Sequence, residues 1–246
     1  MAAGHGPVFA PGLAGVWRFD DADAFAHAAQ HWDQRYTQIG DGRFRGELSL
    51  AQTRALQLGR TRWSTGMLVC GAVPRGAVSL ALPIAGAVPP RLGGLSVGEG
   101  CLASASDMTE FHFASPGPCE LLVLSVERGL LDRAARMLLG APWDDRRVAR
   151  GASLLRLRSG HEVAGRLERL LAVLTATSEG LHDARRAALI EEEILTLVLH
   201  ALEVPAHTDR PPARRRLALR ADELLRASVD RPVTMTELCI ATAACE

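Results

Sequence analysis

Residues 119–140 read CELLVLSVERGLLDRAARMLLG, and the period of the chain changes inside this stretch. Leu121, Leu122, Val123, Leu124 and Val126 put apolar side chains on both parities, the pattern of a strand buried on both faces or of one leading straight into a helix. Beyond Glu127, Leu130, Leu131, Ala134, Met137 and Leu138 recur at helical spacing; Gly140 ends the run and Pro142 acts as a stop. The stretch divides the chain into a β-rich part before it and a helical part after it.

Upstream, Phe44, Gly46, Leu48 and Leu50 alternate with Arg43, Arg45, Glu47 and Ser49. Leu56 and Leu58, then Val78, Leu80 and Leu82, repeat the alternation, and Phe111 and Phe113 flank His112. Turn chemistry separates these runs at Asp41-Gly42, Pro74-Arg75-Gly76, Pro89-Pro90, Gly93-Gly94 and Pro116-Gly117-Pro118. Residues 44–126 are therefore expected to form one β-rich domain, an antiparallel barrel or sandwich. Before it, Phe25, Ala28, Ala29 and Trp32 suit one face of a short helix within residues 20–32, opened by Asp20, Asp21 and Asp23.

Downstream, Ser159 and Glu162 have the spacing of a capping box. Val163, Leu167, Leu170 and Leu174 form the stripe of the helix they open, which Gly180 is expected to close. Ala187, Ile190, Ile194, Leu197 and Ala201 form a second stripe over residues 182–203. Two such helices pack antiparallel and hide their stripes against each other, the barrel or a second copy, which gives a homodimer through 159–203 as one expectation. Residues 204–213, VPAHTDRPPA, are read as a linker.

Composition narrows the functions. The 246 residues are 48% hydrophobic, enough to bury a core, and 28 basic residues balance 28 acidic ones. Every basic residue is arginine; lysine and asparagine do not occur. That removes the phosphate-loop lysine, a Schiff-base lysine and N-glycosylation acceptors. Cys70, Cys101, Cys119, Cys239 and Cys245 form no CxxC pair, so a disulfide framework or zinc knuckle is not expected. No charged leader precedes an apolar block, and the uncharged run at 76–90 is short and contains Pro83, so the reading is a cytoplasmic chain with no membrane partner.

The one strong charge bias lies near the end, where residues 210–231 hold seven arginines against three acids. Leu217, Ala221, Leu224 and Leu225 share a helical face there, and Pro232 precedes Thr234-Met235-Thr236-Glu237, a second capping box. A helix, a proline-marked turn and a short alanine-rich helix are how a helix-turn-helix unit begins. Residues 214–245, RRRLALRADELLRASVDRPVTMTELCIATAAC, resemble the opening of the DNA-binding domain of AraC/XylS-family transcription regulators. Residues 32–39 with 44–46 are similar to the start of some members' sensory domains.

The resemblance implies an α+β chain with a cupin-like antiparallel β-barrel sensory domain at 1–128. A helical linker and dimerisation region at 129–203, the linker at 204–213 and a partial helix-turn-helix DNA-binding domain at 214–246 follow it. In the family that last domain carries two helix-turn-helix units, whereas this sequence stops at Glu246, after the second helix of the first. On this reading the chain is truncated before its recognition helix and does not discriminate DNA sequences by itself. DNA is the partner expected of the full-length form, and a small-molecule effector of unassigned identity is the other.

Arg214, Arg215, Arg216 and Arg231 are the candidate contacts to DNA phosphates. Arg62, Trp63, Arg75, Phe111 and His112 are the candidate effector-pocket residues. No catalytic set, metal site or cofactor is expected: His112 has no His-x-His partner, His27 and His31 lack a third ligand, and Gly-x-Ser-x-Gly and Gly-x-Gly-x-x-Gly are absent. The alternatives are a metal-dependent cupin-type enzyme and a dimerising regulatory fragment.

Overall fold

The computed structural model describes residues 8–29, 31–107, 110–143 and 153–203, and residues 221, 224–225, 227–228, 231–234 and 237 of the tail. The chain divides into two compact units, Met1–Val204 and Pro205–Glu246.

The first unit opens with β1 (Ala14–Phe19), α1 (Ala22–Ala28), β2 (Asp33–Gln38), β3 (Gly46–Gln52), β4 (Leu56–Trp63) and β5 (Met67–Ala72). It continues with β6 (Ala77–Gly86), β7 (Arg91–Leu92), β8 (Leu95–Ser96), β9 (Cys101–Ser106), β10 (Phe111–Ser115) and β11 (Cys119–Glu127). It ends with α2 (Arg128–Leu139), β12 (Ser153–Leu157), α3 (Gly160–Ala176), α4 (Ala184–Ala201) and β13 (Leu202–Glu203). The strands form an eight-stranded sheet, β1-β3-β4-β11-β6-β9-β12-β13, and a five-stranded sheet, β2-β5-β10-β7-β8. All pairings are antiparallel, as hairpins separated by short turns require.

β11 holds the centre of the larger sheet between β4 and β6, which explains why both of its parities are apolar. Leu122, Leu124 and Val126 join Leu56, Leu58, Val78, Leu80 and Leu82 in a core that Leu131, Val163, Leu167, Ile194, Val198 and Leu199 of the helices complete. Leu121 faces the other way, into a second core with Leu48, Leu50, Trp63, Val69, Phe111 and Phe113, between the two sheets. The first unit thus has three layers: small sheet, large sheet, helices. The runs at Leu48/Leu50 and at Leu56/Leu58 look equivalent in sequence but serve different cores.

β11 also runs directly into α2, which ends in the left-handed residue Gly140, φ 74°. At α3 the capping-box expectation fails in detail: Ser159 is the N-cap, but its side chain makes no capping bond. The backbone carbonyl of Gly100 instead takes the Leu157 N–H at 2.9 Å, and a Cβ at Gly160 would sit 2.5 Å from Gly100 Cα. Glycine is thus required by the close approach of the α3 start to the turn before β9. Gly180 does not close α3, which ends at Ala176; it lies in a 3-10 turn over Ser178–Leu181. Asp183 caps α4 with its carboxylate accepting from the Arg185 and Arg186 N–H groups at 3.0 and 2.9 Å.

Two expectations about extent need correction. The β structure begins at Ala14, not Phe44, because β1 pairs with β3 and β2 pairs with β5. Packing also does not break near residue 128: β12 pairs with β9 in the large sheet, β13 pairs with β12, and the stripes of α3 and α4 lie on that sheet. The physical reason is the apolar outer face of the large sheet, which needs those helices as its cover.

In the second unit, the Thr234–Glu237 capping box is formed. The Thr234 N–H donates to Glu237 Oε2 at 2.9 Å and the Glu237 N–H donates to Thr234 Oγ1 at 3.2 Å. Those donors, the backbone N–H of Thr234 first and the Arg231 guanidinium after it, hold the Glu237 carboxyl below the usual carboxylate range. Arg214, Arg215, Arg216 and the linker at 204–213 lie outside the described residues.

Candidate effector cavity

Strand alternation alone decides what faces the space between the sheets. In register across the large sheet, Leu50 opposes Gly59, Gly59 opposes Val123, Val123 opposes Ala81, and Ala81 opposes Ala103. The next inward row runs Gln57, Ser125, Ser79, Ala105. The glycine, alanine and serine side chains of these rows stop well short of the opposite sheet. A cavity of about 100 Å³ remains, and the mid-strand residues Thr61, Ala81 and Val123 stay only half-buried although they lie inside the fold.

Aromatic side chains form the facing wall. Tyr36 on β2, Phe111 and Phe113 on β10, Trp63 at the end of β4, Phe25 on α1 and Trp32 just before β2 all line the cavity. Their rings meet edge to face: Phe25–Tyr36 at 5.3 Å, Tyr36–Trp63 at 5.9 Å, Trp32–Phe111 at 6.0 Å and Trp63–Phe113 at 6.2 Å between centroids. This mutual bracing keeps the wall from collapsing into the void.

Polar groups at the cavity are few. The Trp63 indole N–H donates to Ser115 Oγ at 2.8 Å, and the Trp32 indole N–H donates to Gln57 Oε1 at 2.9 Å. Gln57 Nε2 passes the contact on to Gln52 Oε1 at 2.8 Å, and Gln52 Nε2 donates to the Ala10 carbonyl at 2.7 Å. Beside Gln52, the Thr53 hydroxyl donates to Glu191 of α4. A buried polar chain thus runs from the cavity to the amino-terminal segment, next to a direct bond onto a helix. Burial pushes the Tyr36 phenol well above its ordinary range, with the nearby Cys119 thiol adding to the shift, so Tyr36 keeps its proton. Among the described residues, no His, Cys, Asp, Glu or Arg lines the cavity, and no group of three or more His, Cys, Asp or Glu is placed to hold a metal ion.

Of the residues proposed from sequence, the structure brings together Trp63 and Phe111 and places the others elsewhere. Arg62 points to the outer face, where it pairs with Glu47 at 3.5 Å. Arg75 is exposed in the turn between β5 and β6. His112 has the opposite parity to Phe111 and faces outward, its Nδ1 3.2 Å from Cys70 Sγ. Cys101 and Cys119 are buried, and burial pushes the Cys119 thiol up to about 12. Arg231, proposed as a phosphate contact, is paired with Glu237 at 2.8 Å. The His27 Nδ1–H donates to the Asp23 backbone carbonyl, 2.6 Å away.

Tyr36, Gln34, Gln57 and Trp32 were missed as pocket residues. The available signal was in DQRYTQ (β2), where Gln34 and Tyr36 share one parity, but its polar composition does not announce a strand with a buried face.

Comparison with solved structures finds the AraC-like transcriptional activator CuxR at 15% identity and a TM-score of 0.52, covering 94% of this chain and 84% of that one. At that identity the likeness is one of fold. An apo form of ToxT from Vibrio cholerae aligns at 9% identity and a TM-score of 0.32, over 81% of this chain and 70% of that one. A predicted oxalate decarboxylase from Thermotoga maritima aligns at 15% identity and a TM-score of 0.28, over 40% of this chain and 96% of that one. Comparison with curated protein sequences gives no match. A model of the AraC-binding-like domain matches residues 22–203, most of the first unit with α1–α4 and every strand but β1, and the chain belongs to that family.

Proposed function

We propose that this chain is a DNA-binding transcription regulator of the AraC/XylS type, not an enzyme, whose barrel senses a small molecule. The observation that carries the reading is the unfilled cavity between the sheets, in a domain of the AraC-binding-like family that an arginine-rich segment follows. A lining without His, Cys, Asp or Glu offers neither a metal ligand set nor an acid–base pair, which favours binding over chemistry. Acting on bacterial DNA places the protein in the cytoplasm.

A ligand shifts a regulator only through differential affinity for two states. The chain Trp32–Gln57–Gln52–Ala10 and the Thr53–Glu191 bond supply the physical contact through which cavity occupancy biases α4 and the segment before β1. The stripes of α3 and α4 are spent on the sheet, so a homodimer through 159–203 would use what they leave exposed, such as Val173 and Leu189. Arg214, Arg215 and Arg216 contact phosphates; Arg231 contributes less, being held by Glu237.

The test is the affinity of the chain for DNA from upstream of its own gene, measured across salt concentrations. Replacing Arg214, Arg215 and Arg216 by alanine is expected to flatten the log–log salt slope by about two to three units, at roughly 0.9 per phosphate contact. Binding absent at low salt, or a slope unchanged by the triple substitution, overturns the DNA-contact reading.

A further inference from the structure

We infer that the cavity takes a flat, uncharged molecule about the size of one six-membered ring, bearing a hydroxyl or similar hydrogen-bonding group. The inference deepens the sensor reading and rests on it for its regulatory meaning, but binding itself can be measured apart from it.

Size sets the first limit. A cavity of about 100 Å³ is smaller than the roughly 150 Å³ apolar cavities that hold benzene, which limits a guest to one ring at most. Shape sets the second. The floor is the row Gly59–Val123–Ala81–Ala103, level because the side chains are short, and the roof is a braced set of aromatic edges and faces. A planar guest contacts both at once, and ring-on-ring contact adds to what burial alone supplies.

Charge sets the third. A carboxylate or ammonium entering this space would leave water without an opposite charge to meet, because no Arg, His, Asp or Glu among the described residues lines it. Hydrogen-bonding capacity sets the last. Gln57 is committed to Trp32 and Gln52, Trp63 to Ser115 and Ser79 to Ser125, while the Thr61 hydroxyl adds a further polar group to the lining. The Gln34 amide nitrogen reaches the Ala26 carbonyl at 3.5 Å, which leaves its side-chain oxygen able to accept. Tyr36 keeps its phenol proton, as the buried environment dictates, and its hydroxyl is engaged in no hydrogen bond among the described residues. One ligand hydroxyl would accept from Tyr36 and donate to Gln34, giving the guest its orientation.

Calorimetric titration of the full chain with phenol, toluene and benzoate tests this. Phenol is expected to bind saturably and benzoate at least about tenfold more weakly. Tyr36→Phe should weaken phenol by roughly three- to tenfold while leaving toluene unchanged, the loss of one neutral hydrogen bond. Ala81→Leu, which raises the floor, should abolish phenol binding while the chain still melts cooperatively; if that variant fails to fold, Ala103→Val is the milder filler with the same expectation. Benzoate binding as tightly as phenol, phenol heats that do not saturate, or phenol binding indifferent to both fillers overturns the inference. DNA affinity with and without saturating phenol is read separately. Phenol bound without any change in DNA affinity sinks the sensor reading and leaves the ligand class standing. A charged effector that alters DNA affinity in a filler-sensitive way sinks the ligand class and leaves the sensor.

Discussion

The large sheet has two faces made by the same strands, and they are filled to opposite ends. On the helix side, Leu58, Leu80, Leu82, Leu102, Leu122 and Leu124 meet Val163, Leu167 and Val198, and only about 10 Å³ is left unfilled. On the barrel side, one residue along each strand, Gly59, Ala81, Ala103 and Val123 leave about 100 Å³. Packing to the density of an organic crystal is therefore within this chain's reach, and its failure on one face is a property of the residues chosen there. Stability resides on the helix side and capacity on the barrel side.

The sharpest way to break that contrast is to truncate each face and compare. Leu58 is fully buried in the helix-side core, so Leu58→Ala should cost about 3 kcal/mol in denaturant unfolding, transfer and cavity terms together. Val123→Ala, on the barrel side next to space that already exists, should cost about 1 kcal/mol or less because it removes few contacts. Equal losses would mean that the inner face is as tightly packed as the outer one in solution.

The second largest effect is alkaline. The sequence holds no lysine and a single tyrosine, Tyr36, so cysteines and this phenol dominate its titration between about pH 9 and 11. Burial raises Cys119 from 9.0 to about 12, with the Glu120 carboxylate adding and the Glu120 backbone N–H opposing; Tyr36 is raised as well, first by burial. Both groups stay protonated in the fold at pH values where the unfolded chain has lost those protons. Stability attributable to them is thus complete below about pH 9 and declines as pH rises beyond it, by up to about 1.4 kcal/mol per unit per group. Melting temperatures from pH 8 to 11 should fall, and Cys119→Ala should remove the earlier part of the fall. Tyrosinate absorbance should stay absent from the folded chain at pH 10.5 and appear on unfolding; its appearance while the fold is intact would place Tyr36 in water.

These differences also show why the sequence revealed one face better than the other. β11 and α2 were legible because their apolar residues obey a period within one continuous stretch, and Trp63 and Phe111 because large aromatics on a strand ask for cover. β1, β2 and β12 were not. β2 is polar on both parities, and β12 sits in a run, SLLRLRSG, whose arginines suggest a loop. The cavity floor is less legible still: Gly59, Val123, Ala81 and Ala103 come from four strands, and their being neighbours depends on a register no local pattern records. A void is a joint property of residues far apart in sequence. The resemblance of the tail pointed to a sensor, but nothing in it located the sensing residues.

The smallest effect concerns the residue that sequence and structure place most differently. Arg62 lies in a cross-strand row in which Arg18 opposes Glu47, Glu47 opposes Arg62 and Arg62 opposes Glu120, so charge alternates across four strands on the outer face. Arg18 bonds Glu47 at 2.9 Å, Arg62 reaches it at 3.5 Å, and Arg60 pairs with Glu120. More than half of the Arg62 side chain is exposed, so water and salt screen the pair, and Arg62→Ala should cost only a few tenths of a kcal/mol. Repeating the melt in 1 M salt should erase even that. Phenol binding should be untouched, because Arg62 stands on the opposite side of the sheet from the cavity; a loss of binding in this variant would mean that the two faces are coupled through β4, and the division between a stabilising face and a receiving face would have to be given up.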